Sequence, residues 1–491
     1  DTGDTGGGTR PQVEQWKQFR VSYSNSSWSS NPFDLACTAT FTHQNSGRQL
    51  RQFCFYAGND TWKIYFMPDA TGTWTYTTSS PDADLDGHSG AFDAVASSLG
   101  GVMADAGNRW QLSDGTPIMP ILLATRQYLK GNPTSTLRPF LDWSRDTVGA
   151  TLIGTTFVYF NQGQEFEPYQ EGAEGERFYL PLWDRMNGSY DYLRDQGMGH
   201  YIMFYSDDGE NPSTHGIPEG SGGNIGTAEE RLFRYAVARF GAYPMVVWDS
   251  GIDIGEYRSS TWIDNFARWF RENDPWQHPV SSRSGGGSGG KQPALANYWS
   301  DGTSTLPTRS TAVSTWSSRQ LPSIYTDRWR ENYYRGNFDR SRIRRAVWEM
   351  GLTGGTGVYI GGDNNSGYLD SGYASDLESA ADIGHASRFF HQQVFDFQRL
   401  QPTDQLVVSG NTAVNALAAD PGREYVVYLD NGGSFALDLR QASGSLEGRW
   451  YNPLTGASSS IATLQSPSSN QVFSAPSGGD WVLHLWSSDL Q

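Results

Sequence analysis

TAEERLFRYAVARFGAYPMVVWDSGIDIGEY, residues 227 to 257, runs from an amphipathic helix through a buried strand into a series of acids. Leu232, Phe233, Ala236, Val237 and Phe240 recur at helical spacing and make one apolar face, and Gly241 stops the helix. Thr227 and Glu230 have the T-x-x-E spacing of a capping box. Met245 to Trp248 are continuously apolar, as in a strand covered on both faces. Asp249, Asp253 and Glu256 follow, broken by Gly251 and Gly255. Helix, two-sided strand and polar strand end are the parts of a βα repeat whose working groups gather at one rim.

The unit recurs. Strand-like runs occur in PIMPILLAT (117–125), TLIGTTFVYF (151–160), HYIMFYS (200–206), YPMVVW (243–248), HPVSSR (278–283), PALANYW (293–299), LPSIYTD (321–327) and TGVYIGG (356–362). STWIDNFARWFRENDP (260–275) is a second amphipathic helix, with Trp262, Phe266, Trp269 and Phe270 on one face and Pro275 closing it. Eight strands alternating with helices over residues 98–398 predict an α/β fold, a (β/α)8 TIM barrel. Residues 10–97 show period-two alternation without helical spacing, as in DTWKIYFMP and GTWTYTTS, and predict an N-terminal, Ig-like β-sandwich. Residues 399–491 return to strands, with an Asn-Gly-Gly hairpin turn at 431–433, and predict a C-terminal β-sandwich.

Composition narrows the function. The 491 residues carry a formal charge of −17, so nucleic acid and anionic membrane are excluded as partners by repulsion. No stretch approaches the ~20 apolar residues of a membrane span. The first residues, DTGDTGGGTRPQ, lack an initiator Met and read as a trimmed terminus with a flexible leader. The two cysteines, Cys37 and Cys54, lie on neighbouring strand-like runs, where a disulfide and two buried thiols are both open. A secreted, periplasmic or cell-surface location is expected. SGGGSGGK (284–291) lacks phosphate-loop spacing, and His200, His278 and His385 lack ligand spacing, so no cofactor is expected. DADLDGHSGAFD (82–93) approaches a calcium loop but has Asp at the position normally held by Glu, and a turn is the better reading.

In such a barrel, strand ends supply the chemistry. They offer Thr125 and Arg126 (strand one), Asn161 (two), Asp207 and Asp208 (three) and Asp249 to Glu256 (four). Strand six adds Trp299 and Asp301, strand seven Asp327 to Glu331, and strand eight Asp363. Carboxylates and aromatics dominate. Aromatics stack on sugar faces, polar groups bind hydroxyls, and two carboxylates cleave a glycosidic bond.

MVVWDSGIDIGEY (245–257) resembles the W-x-x-G-G-D segment at the end of strand four in a glycoside hydrolase family catalogued as a domain of unknown function, which includes apiosidases. Trp248, Gly251 and Asp253 match, and Ile252 replaces the second Gly. DRSRIRRAVWEMGLTGGTGVYIGGDN (339–364) is similar to that family's helix seven and strand eight. The flanking segments look like its usual N-terminal sandwich and its C-terminal collagen-binding sandwich, the latter carrying RWYNPLTG (449–456). The resemblance implies a retaining mechanism with Asp253 as acid/base. It places the second carboxylate, the nucleophile, in TDRWRE (326–331), where Asp327 stands in the first Glu position and Glu331 in the second.

The catalytic candidates are therefore Asp253, Asp327 and Glu331. The substrate-binding candidates are Arg126, Asn161, Asp207, Asp208, Glu256, Trp299, Asp301, Arg328, Trp329 and Asp363. Asp249 reads equally as a structural brace, and Glu349 as the partner of Arg345 in an i, i+4 surface pair. The expected activity is hydrolysis of a plant or marine polysaccharide or oligosaccharide, an acidic one if Arg126, Arg283, Arg328 and Arg330 contact it. The alternatives are a non-catalytic carbohydrate- or matrix-binding protein on a degenerate barrel, and a lyase.

Overall fold

In a computed structural model the described residues are 10–490, except 161–162, 207–210, 285–290, 304, 332–337, 363–367 and 411–413, and except the side chains of 284, 328 and 414–418. The barrel strands are β1 (Ile121–Ala124), β2 (Leu152–Thr156), β3 (Gly199–Tyr205), β4 (Val246–Gly251), β5 (Val280–Ser281 with Arg283–Ser284), β6 (Trp299–Asp301), β7 (Ser323–Arg330) and β8 (Gly357–Gly361). All pair in parallel, and β8 returns to β1. The ring closes through β5, whose halves bond to different neighbours: Val280–Ser281 to β4 and Arg283–Ser284 to β6. Ser282 sits between them and shares a 2.6 Å hydroxyl contact with Ser250.

Outside the strands lie α1 (Thr134–Asp146), α2 (Leu180–Asp195), α3 (Thr227–Phe240), α4 (Ser260–Asn273), α5 (Arg309–Ser318), α6 (Arg340–Gly351) and α7 (Ala380–Gln392). Among the described residues no helix separates β5 from β6. The cap of α3 differs from the expected Thr227/Glu230 box. Gly226 occupies the N-cap, and its N–H donates to Glu229 Oε2 at 3.0 Å. Glu229 is wholly buried and also binds Arg258 and Trp262 Nε1, so it faces the core instead of solvent.

Alternation along the strands sorts the core. Leu122, Leu152, Tyr201, Met203, Val247, Ile324 and Tyr359 fill the barrel interior, closed below by Met103, Trp110 and Ile118. Their neighbours Ile202, Phe204, Val246 and Trp248 face the helices. The inward and outward sets are both apolar because a ring of parallel strands has no solvent face.

The N-terminal strands form a five-stranded and a three-stranded sheet. They share one continuous apolar cluster with α3 and α4, tied by Tyr235 donating to Tyr56 O at 2.7 Å and Gln52 Nε2 to Val237 O at 3.3 Å. Cys37 and Cys54 form a disulfide. Residues 82–93 are the turn into strand Ser89–Val95, with Asp82 accepting from Asn25 and Asp86 from Ser80 N.

The C-terminal strands form six- and three-stranded antiparallel sheets. They meet the barrel at α6, where Arg344 bridges Asp382 of α7 (2.9 Å) and Asp480 of the sandwich (2.6 Å), and Trp348 stacks on Tyr428 at 5.8 Å. Glu349 pairs with Arg345 at 3.1 Å at the expected i, i+4 spacing, but it is buried where a surface pair was expected. No helix among the described residues is long and apolar enough to cross a membrane.

Candidate active site

Strand β4 carries the first carboxylate to the rim by a sharp change of backbone. Gly251 has φ of +134°, and a Cβ there would collide with the backbone of Tyr205 on β3. Asp253 is itself left-handed, at φ 51° and ψ 36°, which few residues other than Gly, Asn and Asp adopt readily. Its carbonyl accepts from Glu256 N at 3.0 Å, starting the short turn Ile254–Glu256. Asp253 is 23% exposed, and Glu256 lies farther out on the surface.

Asp249 does not join it. Its Oδ2 accepts from Tyr201 (2.6 Å), Ser300 (2.8 Å) and Tyr298 (3.1 Å), and its Oδ1 accepts from Gly251 N (2.9 Å). Burial pushes this carboxyl above the usual carboxylate range, and the donors partly offset that. Ser300 also meets Thr326 at 2.9 Å. One buried acid thus ties β3, β4, β6 and β7 together beneath the rim.

Strand β7 delivers the second carboxylate through an irregularity. Tyr325 pairs with Val358 but Trp329 pairs with Ile360, so three residues of β7 stand opposite Tyr359 alone. Bulges of this kind re-aim side chains. Asp327 lies inside it, and its Oδ2 is 3.2 Å from Arg283 Nη2. The same nitrogen is 3.8 Å from Asp253 Oδ1. The two oxygens are therefore at most about 7 Å apart, the sum of their distances to the shared atom. Asp327 is 11% and Arg283 8% exposed, so the trio lines a recess. Arg283 fits because Gly302 has no side chain: a Cβ there would collide with Arg283 Nε and meet Cγ at 2.7 Å.

The remaining candidates are placed differently. Glu331 is fully buried, and its Oε2 accepts from Ser379 N (2.9 Å) and Ser379 Oγ (2.5 Å) at the start of α7. Burial pushes its carboxyl above the usual range. Trp329 is 0% exposed and packs with Tyr325 and Phe338 on the helix side of β7, so it offers no stacking face at the mouth. Asp301 stands opposite Tyr325, two residues short of Asp327, and forms a double contact with Arg319 (2.5 and 2.8 Å). Arg319 also lies 4.2 Å over the Trp299 ring. That buttress accounts for both residues as strand packing. Arg126, at the end of β1, lies 4.1 Å over Tyr159 and 5.5 Å over Tyr368. Asn161, Asp207, Asp208, Asp363 and the Arg328 side chain lie outside the described residues.

His200, His278 and His385 are structural. His278 contacts Asp274 (2.8 Å) and Tyr243 O (2.8 Å), His200 stacks on Tyr190, and His385 contacts Pro453 O. No cluster of three metal-ligating side chains occurs among the described residues. Arg283, expected from the sequence only as a contact to an acidic glycan, instead stands between the two carboxylates. Its only signal is its place at the end of HPVSSR, the fifth strand.

Residues 12–81 match the family "Domain of unknown function (DUF5060)", and residues 402–486 match "Putative collagen-binding domain of a collagenase". No curated protein matches the chain. Among solved structures, a "putative glycoside hydrolase" from Bacteroides vulgatus ATCC 8482 aligns over 97% of this chain and 100% of its own, at 15% identity and TM-score 0.74. A glycoside hydrolase family 5 protein from the same organism aligns over 79% and 93%, at 15% identity and TM-score 0.58. A third, described only as a glycoside hydrolase, aligns over 79% and 98%, at 14% identity and TM-score 0.60. At these identities the likeness establishes the fold: a parallel eight-stranded barrel between antiparallel sheets.

Proposed function

We propose that this chain is a glycoside hydrolase that cleaves a polysaccharide or oligosaccharide with Asp327 as nucleophile and Asp253 as acid/base. The observation that carries the reading is the meeting of these two carboxylates, from β4 and β7, at one nitrogen of Arg283. The nearer contact goes to Asp327, the group assigned to attack as an anion. In the first step Asp327 attacks the anomeric carbon while Asp253 gives its proton to the departing glycosidic oxygen, leaving a glycosyl ester. In the second, Asp253 takes a proton from water, and the resulting nucleophile releases the sugar and regenerates Asp327. Retention is the proposed stereochemical course; carboxyl groups ~5–5.5 Å apart would permit it, within the upper bound above.

The neighbours bearing glycoside hydrolase names support this reading. Arg126 and Arg283 are already engaged with tyrosine rings and carboxylates, which favours a neutral glycan over an acidic one at these positions. The Cys37–Cys54 disulfide supports export to an oxidising compartment. The match at 402–486 supports a second role, attachment of the C-terminal sandwich to matrix or cell-surface polymer.

The test is a screen of wild type, Asp327→Asn and Asp253→Asn on plant and marine glycans. Hydrolysis with retained anomeric configuration is expected, lost by at least ~1,000-fold in Asp327→Asn. Full turnover in both variants would overturn the assignment, and a 4,5-unsaturated product would show a lyase.

A further inference from the structure

We propose that the cavity of about 230 Å3 between the loops after β2 and β3 is a binding subsite for one neutral sugar ring of a longer glycan. The proposal rests on the hydrolase reading for its link to catalysis, but the site is argued from its own walls.

Phe160 and His215 form one wall. Their rings stack at 3.9 Å with 5° between planes, one from each loop. Phe160 is buried and His215 half-buried, so the imidazole is a flat face with rigid backing. Flat rings of this kind suit the C–H face of a sugar.

Glu167 and Tyr169 form the second wall. Glu167 Oε2 accepts from Tyr159 N at 3.4 Å, whereas Oε1 is buried without a partner. Tyr169 is 1% exposed, and its hydroxyl is likewise without a partner. These oxygens have almost no accessible surface, so they lie behind the wall and a ligand in the cavity meets the remaining atoms of the two side chains.

Charge selects the kind of sugar. Burial pushes the Glu167 carboxyl up to about 8, against the opposing pull of buried Lys130. Glu171 and Glu174 border the cavity, and uronates or sulfated sugars would be repelled there. The cavity also sits on the working rim. The Tyr159 backbone that reaches Glu167 carries the ring beneath Arg126, at the end of β1. In the eight-strand ring, β2 and β3, whose loops wall the cavity, lie across from β6 and β7, and Asp253 and Asp327 stand after β4 and on β7. A glycan crossing the mouth from that pair reaches this cavity.

The experiment is titration calorimetry on Asp327→Asn protein with xylo-, manno-, galacto- and gluco-oligosaccharides of two to six units, and with oligogalacturonates. At least one neutral series is expected to bind more tightly with length. His215→Ala and Phe160→Leu should each remove that increment, a loss of about tenfold or more for the longest member, with folding confirmed by circular dichroism. Equal loss at all lengths, unchanged affinity, no neutral binder, or oligogalacturonate binding sensitive to His215→Ala would each overturn the proposal. Wild-type turnover, measured separately, keeps the two readings distinct. A length-dependent loss without cleavage of any glycan leaves the subsite standing and sinks the hydrolase; cleavage with unchanged affinity in both variants does the reverse.

Discussion

Replacing Arg283 with Met removes the charge that the two carboxylates share while keeping most of the buried stem. At an effective dielectric of about 20, Coulomb attraction is about 5 kcal/mol for the 3.2 Å contact to Asp327 and about 4 kcal/mol for the 3.8 Å contact to Asp253. Desolvating the buried guanidinium offsets much of this. A charge-assisted contact contributes about 1.5–3 kcal/mol net, so kcat/KM should fall by about 10- to 150-fold. Arg283→Lys keeps the charge but concentrates it on one nitrogen of a shorter arm, and should fall between the two. Gly302→Ala offers an independent route, since its methyl would push Arg283 aside without altering any charged group. The assay is kcat/KM on the glycan the wild type cleaves best, with thermal midpoints to confirm folding. A folded Arg283→Met protein within threefold of wild type would refute the reasoning.

Asp249→Ala leaves three hydroxyls and one backbone N–H without their acceptor, and urea unfolding should show a loss of about 3–6 kcal/mol; a loss under ~1 kcal/mol would remove its bracing role. Glu331→Ala removes the acceptor for Ser379 at the start of α7 and should cost about 1–2 kcal/mol of stability. Glu331→Gln should keep turnover within a few-fold, and a collapse comparable to Asp327→Asn would transfer the nucleophile role to Glu331. Glu167 is raised to about 8 from an unfolded value near 4.3. Between those values the native state binds the extra proton, so this group lowers stability as pH rises through the interval. Glu167→Gln should therefore stabilise the protein at pH 8 by a few kcal/mol and not at pH 4, and a pH-independent difference would contradict the assignment. Buried Lys130, lowered to about 8, acts oppositely, adding stability as pH rises from about 8 to its unfolded value.

The order of sandwich, barrel and sandwich is legible in the sequence because periodicity changes at each junction, from two to alternating strand and helix and back. Asp253 is legible too, because a polar residue after a two-sided strand and a glycine has little place to go but the rim. The partner side is not. In TDRWRE the bulge sets three residues of β7 against one of β8, and neither alternation nor spacing reveals that shift. It explains why Trp329 turns to the helices and Asp327, not Glu331, meets Arg283. Strand β5 is equally opaque: two residues, a break and two more carry too little pattern to show that Arg283 points at the site. The α3 cap was misplaced by one residue because glycine, lacking a side chain, gives no capping signal of its own, and the real partner Glu229 is buried.

Arg344 has a bearing on how such chains are inherited. It divides its charge between Asp382, buried within α7, and Asp480 of the last sandwich, beside the stacked Trp348 and Tyr428. Cutting the chain near residue 399 would expose an aromatic face and strip one anion from a shared cation. Recombination that joined this barrel to an unrelated tail would start from a destabilised protein. Barrel and tail therefore depend on each other for stability at this seam.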